Sequence, residues 1–172
     1  TRDIATRSNN TYGEVVTIPK EYIIESVAVV PGIDGRKMSK SYGNTIEIFE
    51  PPESVRKKVM RIVTDSTPVE APKDPDKCNV LAILKLFAPP QELAEWENKY
   101  RRGGIGYSDA KKRLAELAIE YFRPYRKKRA ELEKNPDYVR KVLADGAHRA
   151  KAVALQTLAK VRRAVGLDLT NV

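Results

Sequence analysis

The sequence holds one histidine, His148, and one cysteine, Cys78. A lone cysteine permits no internal disulfide, and a cytoplasmic setting fits that usage. A lone histidine has no partner imidazole for a metal site, so His148 reads as a surface or boundary residue. No apolar run approaches the roughly 20 residues that a membrane span needs. Residues 1–7, Thr-Arg-Asp-Ile-Ala-Thr-Arg, lack the apolar core of a signal peptide. They also lack an initiator methionine, so the chain is expected to begin inside a longer protein. Internal repeats and low-complexity segments are missing too.

What is present is a soluble globular composition: 172 residues, 41% hydrophobic and 32% charged. That length suits one ordinary domain or parts of two. The net charge of +9 is unevenly placed. Residues 1–100 carry 14 Lys and Arg against 15 Asp and Glu, whereas residues 101–172 carry 18 against 8. A basic C-terminal part points to a polyanionic partner. A highly charged helical surface that merely keeps the protein soluble would carry the same excess.

The first 50 residues read as the end of an α/β unit. Residues 14–18 form a candidate strand closed by Pro19, and the apolar, β-branched run 22–30 reads as a buried strand. With so few strands, a parallel sheet needs others from a segment not in this sequence. From Pro51 the pattern turns helical. Apolar residues Val55, Val59, Ile62 and Val63 recur against Arg56, Lys57, Lys58 and Arg61, predicting an amphipathic helix over 53–64. A Pro/Asp loop over 65–79 precedes a short apolar helix, 80–88. Pro89-Pro90 opens a helix through Tyr100. Ser108 is the expected N-cap of a helix over 109–134 that Pro124 should kink or interrupt. Asn135-Pro136 starts a last helix ending at Gly166.

The stretch with most chemistry is residues 31–44, Pro-Gly-Ile-Asp-Gly-Arg-Lys-Met-Ser-Lys-Ser-Tyr-Gly-Asn. Glycines allow close backbone approach, lysines supply mobile point charges, and serines and backbone N–H groups supply short donors. Such a loop, leaving a strand, suits a polyphosphate whose charge changes during reaction. Lys37-Met38-Ser39-Lys40-Ser41 resembles the second signature of class I aminoacyl-tRNA synthetases, where this loop closes over the triphosphate of ATP. The likeness extends along the chain to the C-terminal half of the bacterial tryptophan-specific enzymes. It is carried by Thr1 to Ala5, residues 31–41, Ile62 to Ser66, Tyr100 with Gly103-Gly104, Ala110-Lys111, Leu114-Ala115-Glu116, Pro124, Gly146-Ala147, Ala150, Ala154, Thr157-Leu158 and Val161-Arg162. Ser8 and Tyr107-Ser108 depart from the family's usual residues.

That resemblance implies the end of a Rossmann-type catalytic domain over 1–50, an α-helical anticodon-binding domain over 51–136, and a C-terminal helix, 137–172, packing back toward the catalytic domain. It implies ATP contacts from Ala28, Lys37, Met38, Ser39, Lys40 and Ser41. Lys37 and Lys40 would serve catalysis, Lys40 meeting the charge that develops on departing pyrophosphate. Candidate tRNA phosphate contacts are Arg101, Arg102, Lys111, Lys112, Arg113, Arg123, Arg126, Lys127, Lys128 and Arg129. The implied reaction activates tryptophan with ATP and magnesium, then charges tRNA(Trp), in a homodimer. The family's first signature, of the His-Ile-Gly-His type, is absent, so the chain alone should be inactive and needs a missing N-terminal half. A tyrosine-specific synthetase and a non-catalytic tRNA-binding module are the rival readings. Trp96, Tyr121 and Tyr125 are expected to be packing residues, Cys78 is given no role, and Asp74-Pro75-Asp76 is expected to be a solvated turn.

Overall fold

The computed structural model describes residues 1–167, Ser26 without its side chain. Six helices dominate: α1 (Arg2–Tyr12), α2 (Pro52–Met60), α3 (Asn79–Leu84), α4 (Pro90–Arg102), α5 (Tyr107–Glu133) and α6 (Pro136–Ala164). None of them is long and apolar enough to cross a membrane. Single 3₁₀ turns lie at Glu25–Val27, Lys40–Tyr42 and Pro75–Lys77.

The expected strands at 14–18 and 22–30 are not found. Among the described residues the only β pairing is one isolated antiparallel bridge, Pro31 to Lys37. The reason is backbone accounting: a strand is stable only when a neighbour takes its N–H and C=O groups. Segment 22–30 has no such neighbour here, and its middle closes on itself. Val27 N–H donates to the Ile24 carbonyl at 3.0 Å, and Ala28 N–H to Glu25 at 3.2 Å. Tyr22, Ile23, Ile24, Val27 and Val29 are left exposed. A Rossmann-type sheet is therefore not part of this chain's described structure, while the helical region matches its pattern.

The chain divides into two compact units, Thr1–Ile23 with the chain from Leu132 onward, and Ile24–Glu131. In the first, the Asn9 side chain shapes the turn after α1. Its carbonyl oxygen accepts from Val15 and Val16 N–H, both at 3.1 Å, and its amide donates to the Val16 carbonyl at 2.8 Å. Ile4, Ala5, Val16, Pro19 and, from α6, Val161 line one shallow apolar hollow. Asn135 caps α6 as expected, accepting from Tyr138 N–H at 3.2 Å.

The second unit holds the core: Val55, Val59 and Ile62, then Val80, Leu81, Ile83 and Leu84, then Trp96 and Tyr100, then Ala110, Leu114, Ala115 and Ala118. Helix α2 ends at Met60, short of the expected 64, because Ile62 and Val63 turn to pack and to bond elsewhere. Helix α5 begins at Tyr107 rather than behind a Ser108 cap, and it runs unbroken through Pro124. That proline has no N–H for the Glu120 carbonyl. One turn back, the Arg126 guanidinium donates to the Ile119 carbonyl, adding a side-chain donor to the weakened ladder. Trp96 is buried, in keeping with its expected role as a packing residue.

The Pro/Asp loop is organised by a residue that composition did not single out. Lys73 is 4% exposed, and its ammonium donates to the carbonyls of Pro68 (2.8 Å), Val69 (3.1 Å) and Ala71 (3.1 Å). It also lies 5.5 Å from the centre of the Tyr107 ring. Gly103 packs against the same loop, and Gly104 N–H bonds the Val69 carbonyl at 2.9 Å. Beneath, the buried Tyr100 hydroxyl is pushed well above its ordinary range by burial and by the nearby Cys78 thiol.

Candidate functional site

Residues 30–44 fold as a closed neck carrying an exposed tip. Across the neck, Gly32 N–H donates to Arg36 (2.7 Å), Ile33 N–H to Asn44 (3.0 Å) and Met38 N–H to Val30 (2.8 Å). The hub is Asn44, which is 2% exposed. Its Oδ1 accepts from Ser39 N–H at 2.7 Å, and its Nδ2 donates to Asp34 Oδ1 at 2.7 Å and to the Lys37 carbonyl at 3.2 Å. Asp34 also accepts from the Arg36 N–H (3.0 Å) and guanidinium (2.8 Å). The Asn44 amide, followed by Arg36, holds the Asp34 carboxyl below its ordinary value against some opposing burial. Arg36 lies 4.5 Å over the Tyr42 ring, clasping the tip from outside.

At the tip, Ser39 caps the Lys40–Tyr42 turn by accepting from Ser41 N–H at 3.3 Å, and Gly43 ends it in the left-handed conformation at φ 64°. Lys37, Lys40 and Ser41 are exposed, while Met38 and Ser39 are half-buried. Ala28 is exposed and helical in backbone rather than within a strand.

The neck belongs to the helical body. Ile33 and Ile46 pack against its core. Val63 N–H donates to the Ile33 carbonyl at 2.8 Å, and Asn79 Nδ2 to the Val63 carbonyl at 3.1 Å. Two residues on, Asp65 accepts from the Tyr107 hydroxyl at 2.6 Å, and burial together with that acceptor pushes the phenol up to about 12. Asn44, Asp34 and Asn79 were not singled out from sequence. The available signal was an asparagine directly after the glycine that closes the loop.

The basic candidates fall into two groups. Arg101 pairs with Glu97 (3.4 Å), Lys112 with Asp109 (3.8 Å), Arg123 with Glu120 (2.6 Å) and Lys128 with Glu131 (3.4 Å), all on the surface. Arg113 grips Glu92 through two nitrogens, at 2.6 and 3.0 Å. Arg102 and Lys127 are exposed. The second group holds structure. Lys111 is 9% exposed and donates to the Met60 carbonyl at the end of α2, 3.2 Å away, and burial pushes its ammonium below the ordinary range. Arg126 donates to the Ile48 and Ile119 carbonyls, and the Arg129 guanidinium stands 4.9 Å over the Phe49 ring. Among the described residues no group of three or more His, Cys, Asp or Glu side chains converges.

A closed loop of this composition, set on a helical body, is the arrangement that the class I synthetase resemblance leads one to expect. Residues 1–123 match the tRNA synthetases class I (W and Y), and the chain belongs to that family. Its relatives are of the tryptophan type. It is 47% identical over 166 residues to the tryptophan–tRNA ligase of Rhodopirellula baltica, an alignment covering 96% of this chain and 52% of that protein. It is 45% identical to the Fusobacterium nucleatum tryptophan–tRNA ligase, over 97% of this chain and 51% of that protein. The solved tryptophanyl-tRNA synthetase of Campylobacter jejuni, complexed with ADP and tryptophan, superposes with a TM-score of 0.78 at 43% identity, over 96% of this chain and 52% of that one. The chain spans about half the length of the curated relatives it matches.

Proposed function

We propose that this chain is the C-terminal half of a tryptophan–tRNA ligase, supplying the phosphate loop and the tRNA-binding helices to a complete enzyme. The observation that carries the reading is the neck: buried Asn44, bonded to the half-buried Asp34, fixes the backbone of 37–39 while both lysines stay exposed at the tip. In the complete enzyme the tryptophan carboxylate attacks the α-phosphorus of ATP, and the bond to the β-phosphate breaks. Lys37 and Lys40 stabilise the charge that builds on the leaving pyrophosphate, with Lys40 the stronger contributor. Met38, Ser39 and Ser41 offer backbone N–H groups and hydroxyls, and Ala28 contacts adenosine through its backbone. A hydroxyl of the ribose at the 3′ end of tRNA(Trp) then attacks the tryptophanyl carbonyl, and AMP leaves.

Among the described residues no group of three or more carboxylates converges to hold a metal ion; magnesium would accompany the phosphates of ATP in the complete enzyme. Residues 1–50 would close the Rossmann-type domain of the complete enzyme, 51–136 would form the anticodon-binding region, and 137–172 would pack back toward the catalytic domain. The exposed apolar run at 22–29 supports the first assignment, since it is the kind of surface that an additional sheet strand covers. The basic side chains of α4 and α5 support the second. The enzyme would work as a cytoplasmic homodimer, with the His-Ile-Gly-His signature on the N-terminal half. That the named relatives are tryptophan enzymes favours this over a tyrosine enzyme.

The test is Lys40→Ala in the complete enzyme. The expected loss is about 10²–10³-fold in ATP–pyrophosphate exchange, with tryptophan affinity nearly unchanged. Equal losses in exchange and in tryptophan affinity would refute the assignment, as would a chain that binds tRNA but never joins a complementary N-terminal half.

A further inference from the structure

The Asn44 side chain bonds to three groups, and all of them belong to the loop it closes. Lys37 contributes its carbonyl and Ser39 its N–H, the two peptide groups on either side of Met38, while Met38 N–H is itself tied to Val30. The third partner, Asp34, is an acceptor only, so it sets which end of the Asn44 amide faces which way. Gly32 leaves the space that this side chain fills. An asparagine meets these needs with one acceptor and two donors on a short stem. Aspartate, of equal size, would turn carboxylate oxygens toward the Asp34 carboxylate and the Lys37 carbonyl. At 2% exposure, the groups that Asn44 bonds are shielded from water that could stand in for its amide.

We infer that Asn44 is a positioning residue for pyrophosphate departure: it fixes the peptide groups flanking Met38, so that Lys37 and Lys40 leave a rigid base toward the phosphates. This deepens the synthetase reading and rests on it. Asn44 touches no reacting atom. It acts through the two lysines, so its contribution should vanish when they are gone.

The experiment uses the complete enzyme and single-turnover tryptophanyl-adenylate formation, with thermal melting of every variant. Asn44→Ala and Asn44→Asp are expected to slow adenylate formation about 10²-fold, with the KM for tryptophan in pyrophosphate exchange within twofold of wild type. In a Lys37→Ala/Lys40→Ala background, Asn44→Ala is expected to add less than threefold, because residues acting as one unit are not additive. A further 10²-fold loss in that background overturns the inference, as does a tryptophan KM that rises as far as the rate falls. If Asn44→Ala loses its melting transition, the isosteric Asn44→Asp carries the comparison, and loss of folding in both makes Asn44 a stability residue and overturns the inference. An inactive wild type refutes the synthetase reading and the inference with it. An active wild type with indifferent Asn44 variants refutes the inference alone.

Discussion

Gly32→Ala tests the neck without touching any group proposed to meet ATP. A Cβ at position 32 would stand 2.4 Å from both Cγ and Nδ2 of Asn44 and 2.7 Å from its carbonyl oxygen. Real side chains do not approach so closely, and Asn44 is buried, so it has nowhere to swing without giving up its bonds. Overpacking of this kind costs about 1–3 kcal/mol. Losing the bonds to Ser39 N–H and the Lys37 carbonyl adds about 1 kcal/mol each. The neck should therefore be weakened by about 3–5 kcal/mol, which raises its opening frequency at least about 10²-fold. Hydrogen exchange reads this directly at the Gly32, Ile33, Met38 and Ser39 amides, with amides of the 55–118 core as the internal reference. Gly43→Ala is the control. Its φ of 64° costs an L-residue about 1–2 kcal/mol, but its surroundings are open. Gly32→Ala loosening the neck no more than Gly43→Ala would show that Asn44 does not hold it.

Three further outcomes are expected. Gly103, at φ 78° and ψ −173°, would set a Cβ 2.4 Å from the Glu70 carbonyl oxygen, so Gly103→Ala should cost at least about 3 kcal/mol and lower Tm by about 6–12 °C. Gly104→Ala, in open space, should cost less than half as much, and equal shifts would refute the packing argument. Lys111→Met should lower Tm by a few degrees by uncapping the Met60 carbonyl and leave the salt slope of tRNA binding unchanged, whereas Lys127→Met should do the reverse, with a slope change of about 0.7–0.9. A Lys111→Met enzyme of wild-type Tm and reduced slope would contradict this. Because the Asp34 carboxyl titrates below its ordinary 3.8 in the folded neck, its contribution is complete above that value and is lost as pH falls through the lower folded one. Carboxyl NMR titration should therefore show the Asp34 midpoint moving upward in Asn44→Ala. An unmoved midpoint would mean that the amide is not what holds it.

The helices were legible because their signals are local. Proline at the first turn of α4, asparagine before proline at α6 and the 3.6-residue apolar spacing of α2 each name their element within one or two turns. The strands were not, because a strand is a property of a pair. The run from Tyr22 to Val30 has strand composition, yet no described segment pairs with it as a strand. The loop stood out in the sequence by its glycines, lysines and serines, whereas its mechanics did not. Asn44 becomes a hub only when the chain has turned back on itself, and Lys73 becomes an anchor only when the carbonyls of residues 68, 69 and 71 have converged on it. Pro124 shows the opposite failure. Its local cost is real, but α5 stays continuous: its N-terminal part buries residues between Ala110 and Ala118, and beyond the proline Arg126 bonds the Ile48 and Ile119 carbonyls.

The same distinction divides the basic residues, and it bounds how much RNA the proposed tRNA-binding helices could hold. An exposed pair such as Arg123 with Glu120 or Lys128 with Glu131 is worth little in water, so a phosphate displaces the carboxylate at small cost. Lys111 and Arg126 are different. Lys111 is bonded to the main-chain carbonyl that ends α2, and pulling it toward RNA leaves that carbonyl without a donor, while Arg126 bonds the Ile48 and Ile119 carbonyls from a half-buried position. An excess of ten positive charges over residues 101–172 therefore overstates the electrostatic footprint. The cations bound to carboxylates can change partners, and those bound to the fold cannot. The salt dependence of tRNA binding should accordingly follow the surface cations Arg101, Arg102, Lys112, Arg123 and Lys127, and a slope that falls on replacing Lys111 as steeply as on replacing Lys127 would contradict that division.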